Sequence, residues 1–458
     1  MVCFPFFIPL NLIEQSNKYV GHGKDDTMFD LGIVNGAVYL EGKLHQCNLY
    51  LQGGRIAQVS MDSHECRRAI DAGGRYVLPG FIDPHVHFAL GVGSNVTKDD
   101  FYSGSREAVY GGVTAFIDFL DPVKAADSVR IEFNKRKALA EHSLIDYSFH
   151  GTVAGPLDPA SRIIQECRQL GINSVKLFTT YSETDRRTGH GYICELLKET
   201  RETGTIITVH AENDELIDKS GDILIHDHEK ARPVLSENTE IMTLAEMART
   251  TGGRLYIVHV SAGSSVRMLA EQYRKELMSG QIILESCPHY FLLNSDYLAR
   301  EDGYKFTMTP PVRPEEERLI LNRYLDYITT IGTDHCPYTL EQKKHAYTRE
   351  TPMGIGGLKY SFLNMYNEFG FSVVDRFTSG PAETFRLPCK GSLLPGYDAD
   401  VVLFDKEGST PVTEEESVYY GRTLKGHIET VIARGDIVLD HGEIRERRGN
   451  YIRRGDIG

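Results

Sequence analysis

The sequence predicts a (β/α)₈ barrel with a smaller β-sandwich domain built from both chain ends. Eight short apolar segments alternate with amphipathic helical patterns through the middle of the chain, which is typical of a parallel sheet covered by helices. Two β-rich regions of similar character, with Asn-Gly and Gly-Gly turns, lie before and after that middle. The 458 residues are enough for one barrel and one smaller domain.

Changes in composition along the chain predict its domains. Residues 1–27 are interpreted as a poorly ordered extension, because the apolar stretch CFPFFIPL is too short to span a bilayer and no basic residue precedes it. A short membrane-associating tail is the alternative. Residues 28–75 and 390–445 form the predicted β-sandwich domain, residues 76–389 the barrel, and residues 446–458 a C-terminal tail.

The barrel prediction depends on regular alternation. Helical patterns such as VKAADSVRIEFNKRKALAEH, SSVRMLAEQYRKELMSG and RPEEERLILNRYLDY separate the strands, and eight such units fit a (β/α)₈ barrel. A doubly wound open sheet is the alternative, but no glycine-rich phosphate turn follows the first strand. The predicted strands are 76–88, 114–119, 148–153, 174–180, 206–212, 255–261, 282–288 and 329–336.

Charge and cysteine usage restrict the partners and the compartment. The net charge of -14 and the pI near 5.7 argue against nucleic acid, whose binding requires a basic face. The eight cysteines contain no CxxC pair, which indicates reduced thiols rather than a disulfide framework. We therefore expect a cytoplasmic protein that acts on a small molecule and has neither a nucleic-acid nor a membrane partner.

Ionisable residues gather at the ends of the predicted strands, where barrels of this type place their catalytic groups. His85 and His87 are two residues apart at the end of the first strand, so their side chains point to one face. Imidazole suits zinc and neighbouring divalent ions. Four histidines, one aspartate and one lysine on these strands are too many ligands for one tetrahedral ion, which indicates two ions. The predicted metal ligands are His85, His87, Lys176, His210, His259 and Asp334.

The charge of a two-metal site favours a modified lysine. Two dications surrounded by neutral imidazoles and one carboxylate would leave a large positive charge in a partly dry pocket. Carboxylation of the Lys176 amine to a carbamate would remove its charge and supply two oxygens that bridge the metals. An unmodified structural lysine at the barrel rim is the alternative.

These residues lie in segments that resemble the dihydropyrimidinase and hydantoinase group of the amidohydrolase superfamily. The resemblance covers most of the chain after Met28 and implies zinc-dependent hydrolysis of a cyclic amide or imide, a dihydropyrimidine or a 5-substituted hydantoin, to an N-carbamoyl amino acid. It also implies a homotetramer. The matching segments are GFIDPHVHF, KDDFYSGSREAVYGGVTAFIDF, SVKLFTTY, VHAEN, IVHVS, ESCPHY, TPPVR, TDHCPYTLEQK and GYDADVVLFD.

The resemblance implies a role for each site residue. His85, His87 and Asp334 would bind the more buried of two zinc ions. His210 and His259 would bind the second, with carboxylated Lys176 and a hydroxide as bridges; other divalent metals are an alternative to zinc. The hydroxide would attack the ring carbonyl, Tyr181 would donate a hydrogen bond to the developing oxyanion, and Asp334 would act first as base and then as acid.

The predicted substrate contacts depart in part from the family pattern. Thr309 replaces the serine of the family's SPPLR motif, and Met353 is nearest to an asparagine that the family carries in a PNGGPG-like loop. Phe88 and Leu90, directly after the histidine pair, predict an apolar wall beside the ring substituent, with plain lid packing as the alternative. Allantoinase and dihydroorotase activities are alternatives, but those relatives usually carry an acidic-proline-glycine turn or a substrate-binding arginine after the histidine pair, and Phe88-Ala89-Leu90 has neither.

Two further classes of protein remain as alternatives. A mononuclear deaminase uses a similar histidine set on this fold, but it requires an acid three residues after the fifth-strand histidine, where this chain has Asn213. A non-catalytic scaffold relative would have lost metal ligands, whereas all six positions are filled here. Metal content per chain separates the first alternative from the two-metal site.

Overall fold

The computed structural model describes residues 28–454, and the predicted extension, residues 1–27, lies outside the described residues. In this described part, no helix is both long enough and apolar enough to cross a membrane. The strands are β1 (Phe29–Leu40), β2 (Lys43–Gln52), β3 (Arg55–Ser60), β4 (Cys66–Asp71), β5 (Tyr76–Pro79), β6 (Phe81–Val86), β7 (Gly91–Val92), β8 (Asn95–Val96), β9 (Val113–Phe119), β10 (Asp146–Thr152), β11 (Ser174–Phe178), β12 (Ile206–His210), β13 (Leu255–Ile257), β14 (Ile282–Ser286), β15 (Thr330–Ile331), β16 (Val401–Pro411), β17 (Thr423–Ala433), β18 (Asp436–Asp440) and β19 (Glu443–Ile444). The helices are α1 (Phe101–Tyr110), α2 (Ala126–Leu139), α3 (Ala160–Gln169), α4 (His190–Thr203), α5 (His228–Ala231), α6 (Val234–Thr251), α7 (Gly263–Gln272), α8 (Arg274–Met278), α9 (Pro288–Leu292), α10 (Glu315–Arg323), α11 (Leu340–Lys343), α12 (Ser361–Phe369), α13 (Val374–Phe377) and α14 (Ser379–Thr384).

Eight parallel strands form the barrel in the order β15, β14, β13, β12, β11, β10, β9, β6. The two end strands meet beyond their ladders, where Val86 pairs in parallel with His335 and the His87 N–H donates to the His335 carbonyl (2.9 Å). Every residue of β9, β10, β12 and β14 is buried, as expected for strands covered on both faces. The predicted (β/α)₈ barrel is confirmed.

Two barrel strands end earlier than the apolar runs predict. The predictions cover 255–261 and 329–336, whereas β13 has three residues and β15 has two. Beyond these strands the backbone enters the left-handed region, with φ of 38° at His259 and 50° at Asp334. Such angles interrupt a β ladder and redirect the side chain. The carboxyl ends of both predicted strands are therefore turns at the barrel rim.

The second sheet contains nine strands from both ends of the described chain, as predicted. Its order is β19, β18, β17, β16, β5, β1, β2, β3, with β4 paired to β1. The predicted strand 76–88 is divided between the sheets, because β5 pairs with β1 and β16 whereas β6 enters the barrel. At the crossing between them, a Cβ atom on Gly80 would lie 2.2 Å from the Thr114 hydroxyl oxygen. Only glycine fits this close approach.

A buried ion network joins the second sheet to the barrel. The Lys390 ammonium lies 2.7 Å from Asp146 and Asp400 and 2.9 Å from Asp398. Asp146 begins β10 of the barrel and also accepts from Arg434, in the turn between β17 and β18 (2.6 Å). Burial by itself raises the pKa of Asp146, but Lys390 and the neighbouring arginines outweigh it and lower the pKa to about 2.

The C-terminal residues close the barrel near the amino ends of its strands. Ile452 packs in the barrel interior with Ile82 and Phe385. The buried Arg454 guanidinium donates to the hydroxyl oxygens of Ser148 and Ser174 (both 2.9 Å). The part of the predicted tail that the structure describes is therefore packed against the barrel, at the end opposite the rim turns.

One predicted helix is broken in two. The segment SSVRMLAEQYRKELMSG is divided at Tyr273, which leaves helical geometry (φ -125°, ψ 30°) between α7 and α8. The Tyr273 side chain is buried, and its hydroxyl donates to Glu246 of α6 (2.9 Å). This tertiary contact overrides the continuous helical pattern of the sequence.

Candidate active site

Three polar atoms, from residues at the ends of the first and last barrel strands, meet at the rim. The Nε2 atoms of His85 and His87 lie 3.2 Å apart. Asp334 Oδ1 lies 3.1 Å from His85 Nε2 and 3.0 Å from His87 Nε2. The ligands of a tetrahedral zinc ion stand about 3.3 Å apart when each bond is about 2.0 Å. The triangle therefore has the dimensions of one face of a metal site.

A buried carboxylate orients His85. Glu285 in β14 places Oε1 2.7 Å from His85 Nδ1. The same oxygen accepts from the His259 backbone N–H (2.9 Å), and Oε2 accepts from the Tyr256 hydroxyl (2.7 Å). Because the carboxylate holds the proton on Nδ1, the Nε2 lone pair of His85 points towards Asp334. Glu285 is absent from the sequence prediction, although the lone carboxylate of the buried segment IILES is a usable signal.

A second pair of imidazoles meets across β12 and the turn after β13. His210 Nδ1 lies 3.0 Å from His259 Nε2, and His210 Nε2 lies 2.7 Å from Glu212 Oε2. Arg232 donates to both oxygens of Glu212 (3.1 and 2.6 Å). The carboxylate therefore holds the proton on His210 Nε2 and leaves Nδ1 free to accept or to ligate. Glu212 and Arg232 are also absent from the predicted site.

Lys176 is a buried cation in β11. It is 2% exposed, and within residues 28–454 its ammonium forms no ion pair; its Nζ lies 5.2 Å from the Phe119 ring centroid and 5.5 Å from that of Phe178. Burial lowers the pKa of Lys176 to about 8, against the attraction of Asp334 and Glu285. A buried ammonium without a close anion is unfavourable.

The six predicted metal ligands converge at this rim. The ring centroids of His85 and His259 are 5.5 Å apart, which brings the two histidine pairs together. Burial lowers the pKa values of His210 and His259, and the nearby Lys176 ammonium lowers them further. Burial raises the pKa of Asp334, but the adjacent imidazoles outweigh it and hold that pKa well below its usual range. Neutral imidazoles and an ionised carboxylate are the forms that bind metal. Burial lowers the pKa of His85, but the neighbouring carboxylates outweigh it and raise that pKa to about 9, so His85 must release a proton when a metal ion binds.

The donor set fits two divalent transition-metal ions. Imidazole nitrogen and carboxylate oxygen are the ligand types of catalytic zinc. Each histidine pair also has a buried carboxylate behind it, Glu285 for one pair and Glu212 for the other. Such outer carboxylates are usual partners of metal-binding histidines because they fix the tautomer and the ring orientation.

A cavity of about 270 Å³ reaches the candidate site at Tyr181, and none of the six predicted metal ligands is among its lining residues. Its wall includes two of the predicted substrate contacts, Tyr181 and Thr309, together with Met353. The Tyr181 ring is 5.2 Å from the His210 ring, and the Arg232 guanidinium covers it at 5.3 Å. The volume suits a small ring with one substituent, and the wall also carries charged side chains, among them Lys219 and Arg349.

Two other predicted substrate contacts lie elsewhere. Phe88 is fully buried, with its ring against Phe101 and Phe116 and in the space that the missing side chain of Gly104 leaves open. Leu90 is half-buried, its N–H donates to the Thr97 hydroxyl oxygen (2.9 Å), and it is not part of the cavity wall. This placement gives Phe88 a packing role, in the core rather than on the apolar wall that the sequence predicts.

Known proteins share this sequence pattern. Residues 76–438 match the amidohydrolase family. A D-hydantoinase from Geobacillus stearothermophilus is 29% identical over an alignment of 472 positions, which covers 93% of this chain and 97% of that protein. A D-phenylhydantoinase from Escherichia coli O1:K1 / APEC is 30% identical over an alignment of 463 positions, which covers 92% of this chain and 97% of that protein.

Solved structures share the fold. The dihydropyrimidinase from Brevibacillus agri NCHU1002 gives a TM-score of 0.86 at 26% identity, covering 93% of this chain and 99% of that one. The L-hydantoinase (dihydropyrimidinase) from Arthrobacter aurescens gives 0.83 at 25% identity, covering 93% and 100%. By its sequence, its barrel and its rim of histidines, this chain belongs to the amidohydrolase family, in the group of dihydropyrimidinases and hydantoinases.

Proposed function

We propose that this protein hydrolyses a cyclic amide or imide, a dihydropyrimidine or a 5-substituted hydantoin, to an N-carbamoyl amino acid. The observation that carries the proposal is the meeting of two histidine pairs with Asp334 and Lys176 at the barrel rim, where the ring of His210 lies 5.2 Å from that of Tyr181 on the wall of a cavity of about 270 Å³. The relatives named D-hydantoinase and dihydropyrimidinase support the same substrate class.

Two zinc ions are proposed as the cofactor. His85, His87 and Asp334 would hold one ion, and His210 and His259 would hold the other. Such ions supply a water that is ionised at neutral pH and polarise the carbonyl that it attacks. The outer carboxylates fix the tautomers of His85 and His210, so the nitrogens needed as ligands are already presented in the protein.

Lys176 is proposed to carry an N6-carboxylate, whose two oxygens would help to hold both ions. Its amine is buried and lacks an ion pair among residues 28–454, so the cationic form is unfavourable where it lies. Carboxylation consumes carbon dioxide, forms an N–C bond and releases the amine proton. The resulting anion is compensated when two cations are bound nearby.

The remaining chemistry is assigned to Asp334, Tyr181 and Thr309. Asp334, ionised and directed at the rim by two imidazoles, would take the proton of the attacking water and pass it to the leaving ring nitrogen. Burial raises the pKa of Tyr181, so its phenol stays protonated and would donate a hydrogen bond to the developing oxyanion. Thr309, on the cavity wall, would hold the ring.

The assembly and the compartment stay predictions. A homotetramer in the cytoplasm is expected from the family resemblance and the cysteine pattern. The seven cysteines in the described part of the chain are all free. Light scattering coupled to size-exclusion chromatography measures the number of chains per particle.

A ring-opening panel tests the proposed function. Protein loaded with zinc is incubated with dihydrouracil, 5-phenylhydantoin, allantoin and dihydroorotate, and the ureido product is followed by chromatography. We expect turnover of one or both of the first two rings. Turnover of allantoin or dihydroorotate alone would move the assignment to those relatives. A single metal per chain and deamination in place of ring opening would support the mononuclear alternative.

A further inference from the structure

Lys343 is a second buried lysine near the candidate site. It is the last residue of α11, a helix that begins with a capping box between Thr339 and Gln342. Lys343 is 3% exposed. Its ammonium donates to the backbone carbonyls of Thr307 (2.8 Å) and Gly354 (2.6 Å). The side chain therefore reaches inward and ties two other segments of the chain together.

Those two segments form one wall of the cavity. Thr307 precedes Thr309 by two residues, and Gly354 directly follows Met353; both Thr309 and Met353 line the cavity. The Gly354 N–H also donates to the Thr307 carbonyl (3.0 Å). Among the described residues, this is the one direct backbone hydrogen bond between the Thr309 segment and the Met353 loop. Lys343 reinforces it by binding a carbonyl on each side.

Gly354 itself has no side chain that could anchor its backbone carbonyl. Gly354 has φ of 152°, and a Cβ atom there would lie 2.3 Å from the Cys336 carbonyl oxygen. The Cys336 N–H donates to the Ile355 carbonyl (2.9 Å). Because Cys336 lies two residues after Asp334, its hydrogen bond to Ile355 connects the cavity wall to the barrel rim where the predicted metal ligands lie.

Burying the ammonium of Lys343 at this position is energetically unfavourable. Within residues 28–454 it has two carbonyl acceptors and forms no ion pair, so its charge is only partly compensated. A methionine would fill a similar volume without that cost, but it would leave two buried carbonyls with fewer donors. The two carbonyls that Lys343 binds therefore account for a lysine, rather than an apolar residue, at this position.

We propose that Lys343 is a positioning residue for substrate. By fixing the Thr309 segment against the Met353 loop, it sets the width of the cavity where the ring substituent lies. Met353 supplies an apolar surface there, which favours an alkyl or aryl substituent. The substrate part of this proposal rests on the proposed ring hydrolysis, whereas the link between the two segments does not.

The test compares Lys343→Met with Lys390→Met. Lys390 is equally buried, but its partners are the aspartates at the junction with the second sheet, so the pair separates loss of a buried lysine from loss of this link. The first measurement is backbone hydrogen exchange of the wild type and both variants. In Lys343→Met we expect the Gly354 amide to exchange about tenfold faster, and in Lys390→Met we expect it to be unchanged. Equal exchange in all three proteins would overturn the link.

The second measurement is steady-state kinetics with zinc-loaded proteins. In Lys343→Met we expect KM for 5-phenylhydantoin to rise about tenfold, with kcat and metal content nearly unchanged and a smaller effect on unsubstituted hydantoin. Equal effects on both rings, or loss of kcat alone, would contradict a positioning role.

If the wild type opens neither ring, the proposed function fails while the exchange result still tests the link. Should Lys343→Met not fold, Met353→Ala tests the same wall, and an unchanged preference between the two rings would overturn the proposal.

Discussion

His85 Nδ1 lies 2.7 Å from Glu285 Oε1, although 200 residues separate them in the sequence. This contact fixes the orientation of the His85 ring, with Nε2 directed at the rim, and in the neutral ring it holds the proton on Nδ1. The same carboxylate oxygen holds the backbone of His259, so Glu285 connects the two histidine pairs. A residue that need not touch metal or substrate thereby organises both halves of the proposed centre.

Glu285→Gln is expected to weaken metal binding by about 10–100-fold, the usual effect of losing an outer carboxylate. The amide keeps the volume but replaces one acceptor oxygen with a donor, which opposes the Tyr256 hydroxyl or the His85 N–H. Competition with a zinc chelator measures the affinity. Glu271→Gln, at an exposed position, is the control. Equal zinc affinity in wild type and Glu285→Gln would refute this role.

Lys176→Ala is expected to lower ring-opening activity at least about a hundredfold and to reduce the zinc content below two ions per chain, because the bridging anion is lost. Carbon-13 NMR after growth on labelled bicarbonate should give a carbamate signal in wild type and none in the variant. Lys198→Ala, at an exposed position of α4, should match wild type. Two metals and full activity in Lys176→Ala would exclude the bridge.

Arg232→Met is expected to destabilise the fold by about 3–5 kcal/mol, because it leaves the fully buried Glu212 carboxylate without its cation. Arg249→Met is the matched control, since its ion pair with Glu246 is half exposed and solvent-exposed pairs contribute little to stability. Urea denaturation gives both free energies of unfolding. Equal losses in the two variants would contradict the importance of the buried pair.

Asp146→Asn is expected to lower stability at neutral pH by about 2 kcal/mol, because the wild-type carboxyl has a pKa of about 2 in the fold and 3.8 as a free group. A lowered folded pKa stabilises the protein above pH 3.8, and this contribution is lost as pH falls towards 2. The difference between wild type and variant should therefore shrink over that range in denaturation curves recorded at each pH. A difference independent of pH would contradict the assignment.

Local pattern was enough to predict the barrel and the identity of the rim residues. Eight apolar runs between amphipathic helices indicate a parallel sheet, and a residue at the end of such a run lies at the rim whatever its distant neighbours are. The left-handed turns at His259 and Asp334 shortened two strands because the backbone there is set by the rim contacts, which strand propensity does not report.

Contacts between distant segments were beyond local pattern. Glu285 and the pair of Glu212 with Arg232 became visible only when the barrel brought their strands and loops together. Phe88 was misplaced because an apolar residue after a strand can face either the core or the cavity. The Phe88 ring occupies the core space that Gly104, which has no side chain, leaves open. Gly104 lies in a separate helix, so the HxH motif contains no information about this packing.

The most direct test of ring hydrolysis is mass spectrometry of product formed in oxygen-18 water. Zinc-loaded protein is incubated with the ring that it opens best in the panel, beside His85→Ala treated in the same way. We expect the wild-type product to have the mass of the ring plus one water, with one heavy oxygen in the new carboxylate, and the variant to form little of it. Failure of the two-metal protein to open any ring in the panel, or equal product from His85→Ala, would contradict the proposed metal-dependent hydrolysis.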